Sequence, residues 1–220
     1  MKPMINTEIN GAVAHLIYDD GGLNIITADV LSKLLQTLQF LESNKDVKTL
    51  VIEGNGRSFS AGLDLSMMES GGEPMQAMLQ EMGQFLFNLY SSRMRIVSLC
   101  AGHAAAAGAM LLLVSDYRVG VSRSGKIGFS EVANGISLNS FAIKLAEDRL
   151  NRSELFAATT LARMYDPDAA VRAGFLDVAM TNYRDAKYHA MQQAERLAQL
   201  DDEAYLQTLR AVRASTLDIQ

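Results

Sequence analysis

Glu131 is the residue that the sequence places best to move a proton. It follows the short apolar run Ile127-Gly-Phe129 and precedes Val132-Ala-Asn-Gly-Ile136, so its carboxyl group enters an apolar setting. Burial disfavours the charged form, and a carboxylate there has a raised pKa and becomes a usable base near neutrality. The same glutamate could instead cap or salt-bridge locally. Two further segments carry chemistry in their backbone. Arg57-Ser-Phe-Ser-Ala-Gly-Leu-Asp-Leu65 and Cys100-Ala-Gly-His-Ala-Ala-Ala-Ala-Gly-Ala-Met110 each read as a strand, a tight small-residue loop and a helix start. Small residues let a ligand approach the main chain, and the first N–H groups of a helix lack intrahelical acceptors and lie at the positive dipole end. Two such donors converging would form an oxyanion hole. Close packing of helix on strand uses the same small residues, and on these two segments alone packing is the preferred reading.

Other polar residues read as structural. Asp116, between a helix end and a strand, is expected to be a hydrogen-bond partner, Asp64 a loop or cap carboxylate, and His103 a packed or loop histidine. The single cysteine, Cys100, has no internal disulfide partner, and with only His15, His103 and His189 no zinc set assembles at motif spacing, so no metal is expected. A reducing, cytoplasmic setting is expected, with no signal-like apolar stretch read in the first twenty residues. The net charge of −5 argues against nucleic acid, and the longest apolar run, Ala104 to Val114, is about half the length of a membrane span.

The elements that must position these groups alternate. A strand is expected over 11–18, turn chemistry at Asp19-Asp-Gly-Gly22, and a Thr27-capped helix with Val30, Leu31, Leu34, Leu35, Leu38 and Leu41 on one face. Strands at 48–53, 95–99, 117–121 and 126–129 interleave with helices at 74–90 and 105–114. Helices at 137–150 and 153–164, an Asp166-capped helix to Arg172 and a strand at 174–179 follow. Methionines 67, 68, 75, 78 and 82 surround the second helix as core or pocket lining. Such alternation predicts an α/β fold over 1–183, with a helical tail over 184–220. The tail's Leu197, Leu200, Tyr205, Leu206 and Leu209 need a partner surface, in the same chain or in another subunit.

Ser58-Phe-Ser-Ala-Gly-Leu-Asp64, Ala101-Gly102 through Gly108 to Ser115-Asp-Tyr-Arg118, and Gly128-Phe-Ser-Glu131 with Gly135-Ile136 resemble, in order and spacing, the crotonase superfamily of enoyl-CoA hydratases and isomerases. The resemblance runs from about Val13 to Val178. It implies a spiral of ββα units with a helical tail, here short for the family, and a homotrimer or dimer of trimers. It also implies the N–H groups of Leu63 and Ala107 as the oxyanion hole for a thioester carbonyl; alanine replaces a usual glycine at the second position but keeps the N–H. Ala61, Gly62, Leu63, Asp64 and Leu65, with Leu23 and Ile25, would form the wall along the coenzyme A chain, and Ala106, Met110 and Ser130 would be further substrate-binding positions. Coenzyme A is then part of the substrate, and no separate cofactor is implied.

Hydratases of the family carry two acids, whose places here hold Met110 and Glu131. Isomerases of the mitochondrial Δ3,Δ2 type keep the acid at the Glu131 place and an apolar residue at the other. The implied reaction is therefore conversion of a 3-enoyl-CoA to the 2-trans isomer. Hydration, thioester hydrolysis on the same fold, and a non-catalytic acyl-CoA-binding subunit are the alternatives.

Overall fold

The computed structural model describes residues 4–64, 66 and 72–218; Leu65, Met67 and Met68 of the expected site and pocket lining lie outside them. Along the chain come β1 (Met4–Asn10), β2 (Val13–Asp19), β3 (Ile25–Ile26), α1 (Ala28–Ser43), β4 (Thr49–Glu53), β5 (Ser58–Ser60), β6 (Gly62–Leu63), α2 (Gly72–Tyr90), β7 (Arg95–Cys100) and β8 (His103–Ala105). Then follow α3 (Ala107–Leu113), β9 (Tyr117–Val121), β10 (Ile127–Gly128), α4 (Ser140–Arg149), α5 (Leu155–Thr159), α6 (Pro167–Ala173), β11 (Val178–Met180), α7 (Tyr183–Ala198), α8 (Asp202–Val212) and α9 (Ala214–Leu217).

A six-stranded sheet in the order β1-β2-β4-β7-β9-β11 forms the floor, antiparallel only at β1-β2. Its central strands β4, β7 and β9 are buried on both faces, as a covered parallel sheet requires, while the edge strands β1 and β11 are partly exposed. Leu50, Ile52 and Ile96 face the main core with α1, α2 and α3, whereas Val51, Val97 and Val119 face the opposite side. Two small sheets, β10-β8-β5 and β3-β6, stand above the main one and carry the loops flagged by sequence.

Thr27, Asn139, Asp166, Asn182 and Asp201 cap their helices, each side chain accepting from the backbone N–H three residues on. Several expectations need correction. Residues 4–10 form β1, a strand not anticipated, because Ile5 and Ile9 are its few apolar residues and pairing with β2 supplies its stability. The third helix begins at Ala107, since 103–105 pair with β5 and β10. The helix expected over 153–164 is only α5, ended by Ala162 at φ 48°, and the strand expected over 174–179 shortens to β11. Gly174, at φ 96°, belongs to the end of α6.

Part of the tail finds its surface in the same chain, through α7 and Leu209, while Leu200 stays 39% exposed. Ala186, Ala190, Ala194 and Ala198 recur every fourth residue along α7 and seat it against Val51, Val97 and Val119. Tyr183 and Lys187 reach the buried Glu53, which also bonds His15 Nε2 at 2.7 Å. Farther along, Arg213 pairs with Asp116 at 2.6 Å and Arg95 with Asp202 at 2.5 Å. Among the described residues no helix is long and apolar enough to cross a membrane.

Candidate active site

The site begins with a buried asparagine that sequence reasoning passed over. Asn24 is fully buried at φ 54°, a left-handed conformation that asparagine tolerates better than most residues. Its amide nitrogen donates to Tyr18 O at 2.7 Å and Ser58 O at 2.9 Å, while its Oδ1 accepts from Asp20 N and Asn55 Nδ2, both at 3.1 Å. Ser58 Oγ donates to Leu23 O at 2.7 Å, and Ser60 Oγ to Asn24 O at 2.8 Å. The first turn is thereby fastened to β5 and β6. The signal in the sequence was an asparagine amid Gly21-Gly-Leu-Asn-Ile25, the type of residue that such a turn favours.

Next to this frame the chain reverses from β8 into α3 at Ala106, whose φ of 50° and ψ of −124° are strained for a residue with a Cβ. Its N–H donates to Gly128 O at 3.2 Å, and its carbonyl accepts from Ala109 and Met110. Ala107 is thus the first residue of the helix, with an N–H that has no intrahelical acceptor. A Cβ on Gly62, at φ 90°, would lie 3.1 Å from Ala107 N, so the two loops are in van der Waals contact. Asp64 N donates to Ile26 O at 3.3 Å; because successive peptides of an extended strand point opposite ways, the Leu63 N–H points away from β3.

Leu63, Ala61, Ala106 and Ala107 form one wall of a cavity of about 220 Å³, with Met110, Ser130 and Glu131 beside them. Helix α2 closes the far side through Leu79, Met82, Gly83 and Leu86, and Leu138 and Phe141 complete it. Glu131 is 8% exposed, and its Oε2 has no hydrogen-bond partner. Burial pushes its carboxyl above the usual range, opposed in part by hydrogen bonds from its own and Ser130's backbone. Its carbonyl accepts from Asn134 N and Ile136 N, both at 2.9 Å, and Asn134 Nδ2 donates to Ser130 O at 2.8 Å, which holds the acid's backbone in a tight turn. Among the described residues no side-chain cap or salt bridge uses this glutamate.

Of the residues singled out by sequence, Ala61, Leu63, Ala106, Ala107, Met110, Ser130 and Glu131 meet at the cavity. Leu23, Ile25, Gly62 and Asp64 lie behind them in the β3-β6 frame; Leu23 is 43% exposed, Ile25 pairs with Gly62, and Asp64 caps Ser66. Leu138 and Phe141 were missed because their apolar side chains looked like ordinary helix-face residues. Asp116 accepts from Ile96 N, Tyr205 and Arg213, the structural role expected of it. His103 is exposed and accepts from Lys126 N at Nδ1. Among the described residues no three His, Cys, Asp or Glu side chains gather as a metal site.

Residues 8–218 match the family model described as enoyl-CoA hydratase/isomerase. The mouse mitochondrial enoyl-CoA delta isomerase 1 is 27% identical over 179 residues, covering 80% of this chain and 62% of that protein. A Bacillus subtilis protein named as a probable enoyl-CoA hydratase is 29% identical over 134 residues, covering 60% and 52%. The chain thus spans about three fifths or less of the length of these curated relatives. A solved enoyl-CoA hydratase/isomerase family protein from Pseudomonas syringae superposes with a TM-score of 0.92 at 31% identity, covering 97% of this chain and 92% of that one. With the family model matched over residues 8–218 and the backbone superposing on that structure along nearly its whole length, the chain belongs to the enoyl-CoA hydratase/isomerase family.

Proposed function

We propose that this chain isomerises 3-enoyl-CoA thioesters to 2-trans-enoyl-CoA. Family membership supports an acyl-CoA thioester as the substrate class; isomerisation rests on one observation, that among the described residues the cavity is lined by one carboxylate, buried and with an unpartnered oxygen, together with Met110. Hydration must position and deprotonate a water while a proton reaches the neighbouring carbon, a task suited to two carboxylates. Isomerisation needs one base. Glu131 removes a proton from C2, the electrons shift so that the double bond leaves C3–C4 for C2–C3, and the same carboxyl returns the proton to C4. The negative charge of the intermediate dienolate falls on the thioester oxygen, where the N–H groups of Leu63 and Ala107 would receive it.

The test is to incubate the protein separately with 3-enoyl-, 2-enoyl- and saturated acyl-CoA. Isomer from the first, with little hydrated product from the second and no free thiol from the third, is expected. Rapid hydration of the 2-enoyl thioester with Met110 in place would replace this reading with a hydratase, and thiol release would replace it with a thioesterase.

A further inference from the structure

Helix α2 presents Leu79, Met82, Gly83 and Leu86 to the cavity, a spacing of three, four and seven that defines one helix face. Exposure falls along it, from 40% at Leu79 to 3% at Met82 and 2% at Leu86, so the face runs from the mouth of the cavity into the core. Gly83 sits in the middle of this face. A glycine inside a helix is the least favourable residue there after proline, so a structural need for it should be visible. At Gly102 and Gly108 it is: a Cβ would approach Arg57 O to 2.2 Å and Ser60 O to 2.1 Å. Among the described residues a Cβ at Gly83 would meet nothing within 4 Å, and the backbone is ordinary helix. Neither close packing nor conformation requires the glycine. What it supplies is room.

We infer that Gly83 is the specificity-determining residue for acyl length: the space beside it admits an unbranched chain of medium length. This rests on the acyl-CoA reading of the cavity. Its volume of about 220 Å³ leaves room for several carbons beyond the thioester carbonyl, which points to a chain of medium length. The cavity lining is mostly apolar, with Leu79, Met82, Leu86 and Met110 against the fewer polar groups of Ser130, Asn134, Ser137 and Asn139, and this favours a hydrocarbon chain end over a carboxylate.

The test compares the parent protein with Gly83→Ala and Gly83→Leu. Binding of saturated butanoyl-CoA and octanoyl-CoA is measured by calorimetry, and turnover with the 3-enoyl thioesters of the same lengths. Gly83→Leu is expected to lower the octanoyl-to-butanoyl ratio of affinities, and of kcat/KM, by roughly 15-fold, the loss of about two buried methylenes. Gly83→Ala is expected to raise the melting temperature by about 2–4 °C and to lower the ratio less, which keeps the proposal testable should the leucine variant fold poorly. Equal losses at both lengths, or none, would overturn it. If the length effect appears in binding while neither 3-enoyl thioester is isomerised, the role of Gly83 stands and the isomerase reading falls. If isomerisation proceeds but Gly83→Leu leaves the ratio unchanged, the reverse holds; absence of binding by either thioester overturns both.

Discussion

At the residue scale, the acid that carries the proposed reaction also costs the fold something. Glu131 is held protonated to higher pH in the folded chain than in the unfolded one. Between those two pKa values the folded state binds the extra proton, so this group makes stability fall as pH rises, until the folded carboxyl ionises. Glu131→Gln keeps the shape and removes both the base and that penalty. Turnover should drop by at least ~10²-fold, acyl-CoA binding should survive, and the melting temperature at neutral pH should rise; unchanged turnover would remove Glu131 from the mechanism. In the parent, activity should increase with pH through this raised pKa. Met110→Glu is the complementary change. A second acid in the cavity is itself desolvated and raises the pKa of its neighbour, so the gain is directional: hydration of 2-enoyl-CoA above the parent level, isomerisation equal or lower, both abolished on adding Glu131→Gln. Absence of any gain in hydration would show that a missing acid is not what blocks water addition. Glu131 was legible because an acid among apolar neighbours is conspicuous in sequence. Asn24 was not, because its importance lies in four hydrogen bonds to segments more than thirty residues away or across a turn.

At the scale of elements, long periodic segments were readable and most short ones were not. Helix α1 shows its apolar face and its cap, and β4 and β7 show β-branched runs. Of the short strands, β10 falls within the run expected over 126–129, whereas the two- and three-residue strands β3, β6 and β8 have too few residues for any period and are defined by their partners. They are nevertheless the elements that bring Leu63 and Ala107 together. Helix α3 can approach β5 only because Gly108 has no side chain, since a Cβ would stand 2.1 Å from Ser60 O, a backbone atom that cannot swing aside. Gly108→Ala should therefore separate helix from strand, destabilising the fold by about 1–3 kcal/mol or somewhat more. The Ala107 N–H would move with it, so kcat should fall in the surviving folded fraction more than KM rises. A variant with parent-like melting and kcat would mean that the loop yields without moving the donor.

At the scale of the whole molecule, the last third of the chain is bound to the site through Asp116. Oδ2 of this carboxylate accepts from Ile96 N and Tyr205, and Oδ1 pairs with Arg213, which is 6% exposed and also donates to Tyr90 O. Sequence marked the tail as needing a surface but emphasised its leucines, whereas α7 is seated by its four alanines, whose small size allows close approach to the sheet. Helices α8 and α9 lack such a stripe, Leu209 and Thr216 being their buried residues, so their attachment depends more on the polar contacts. Asp116→Ala would leave the Arg213 guanidinium buried without its partner, a change that costs about 3–5 kcal/mol when one member of a buried pair is removed. Release of Arg213 to solvent is the cheaper response, and it requires α8 and α9 to detach while α7 stays on the sheet. Trypsin should then cut the variant first at Arg210, and only later at Arg196 in α7, whereas the parent should resist at both. Because Asp116 lies just beyond the end of α3, whose other end carries Ala107 and Met110, the loosened variant should also turn over more slowly with Glu131 intact. Cleavage at Arg196 and Arg210 at equal rates would show that the tail leaves as one unit and that the alanine stripe does not hold α7 alone. Parent-like melting together with parent-like resistance would show that Tyr205 and Arg95 secure the tail without Asp116.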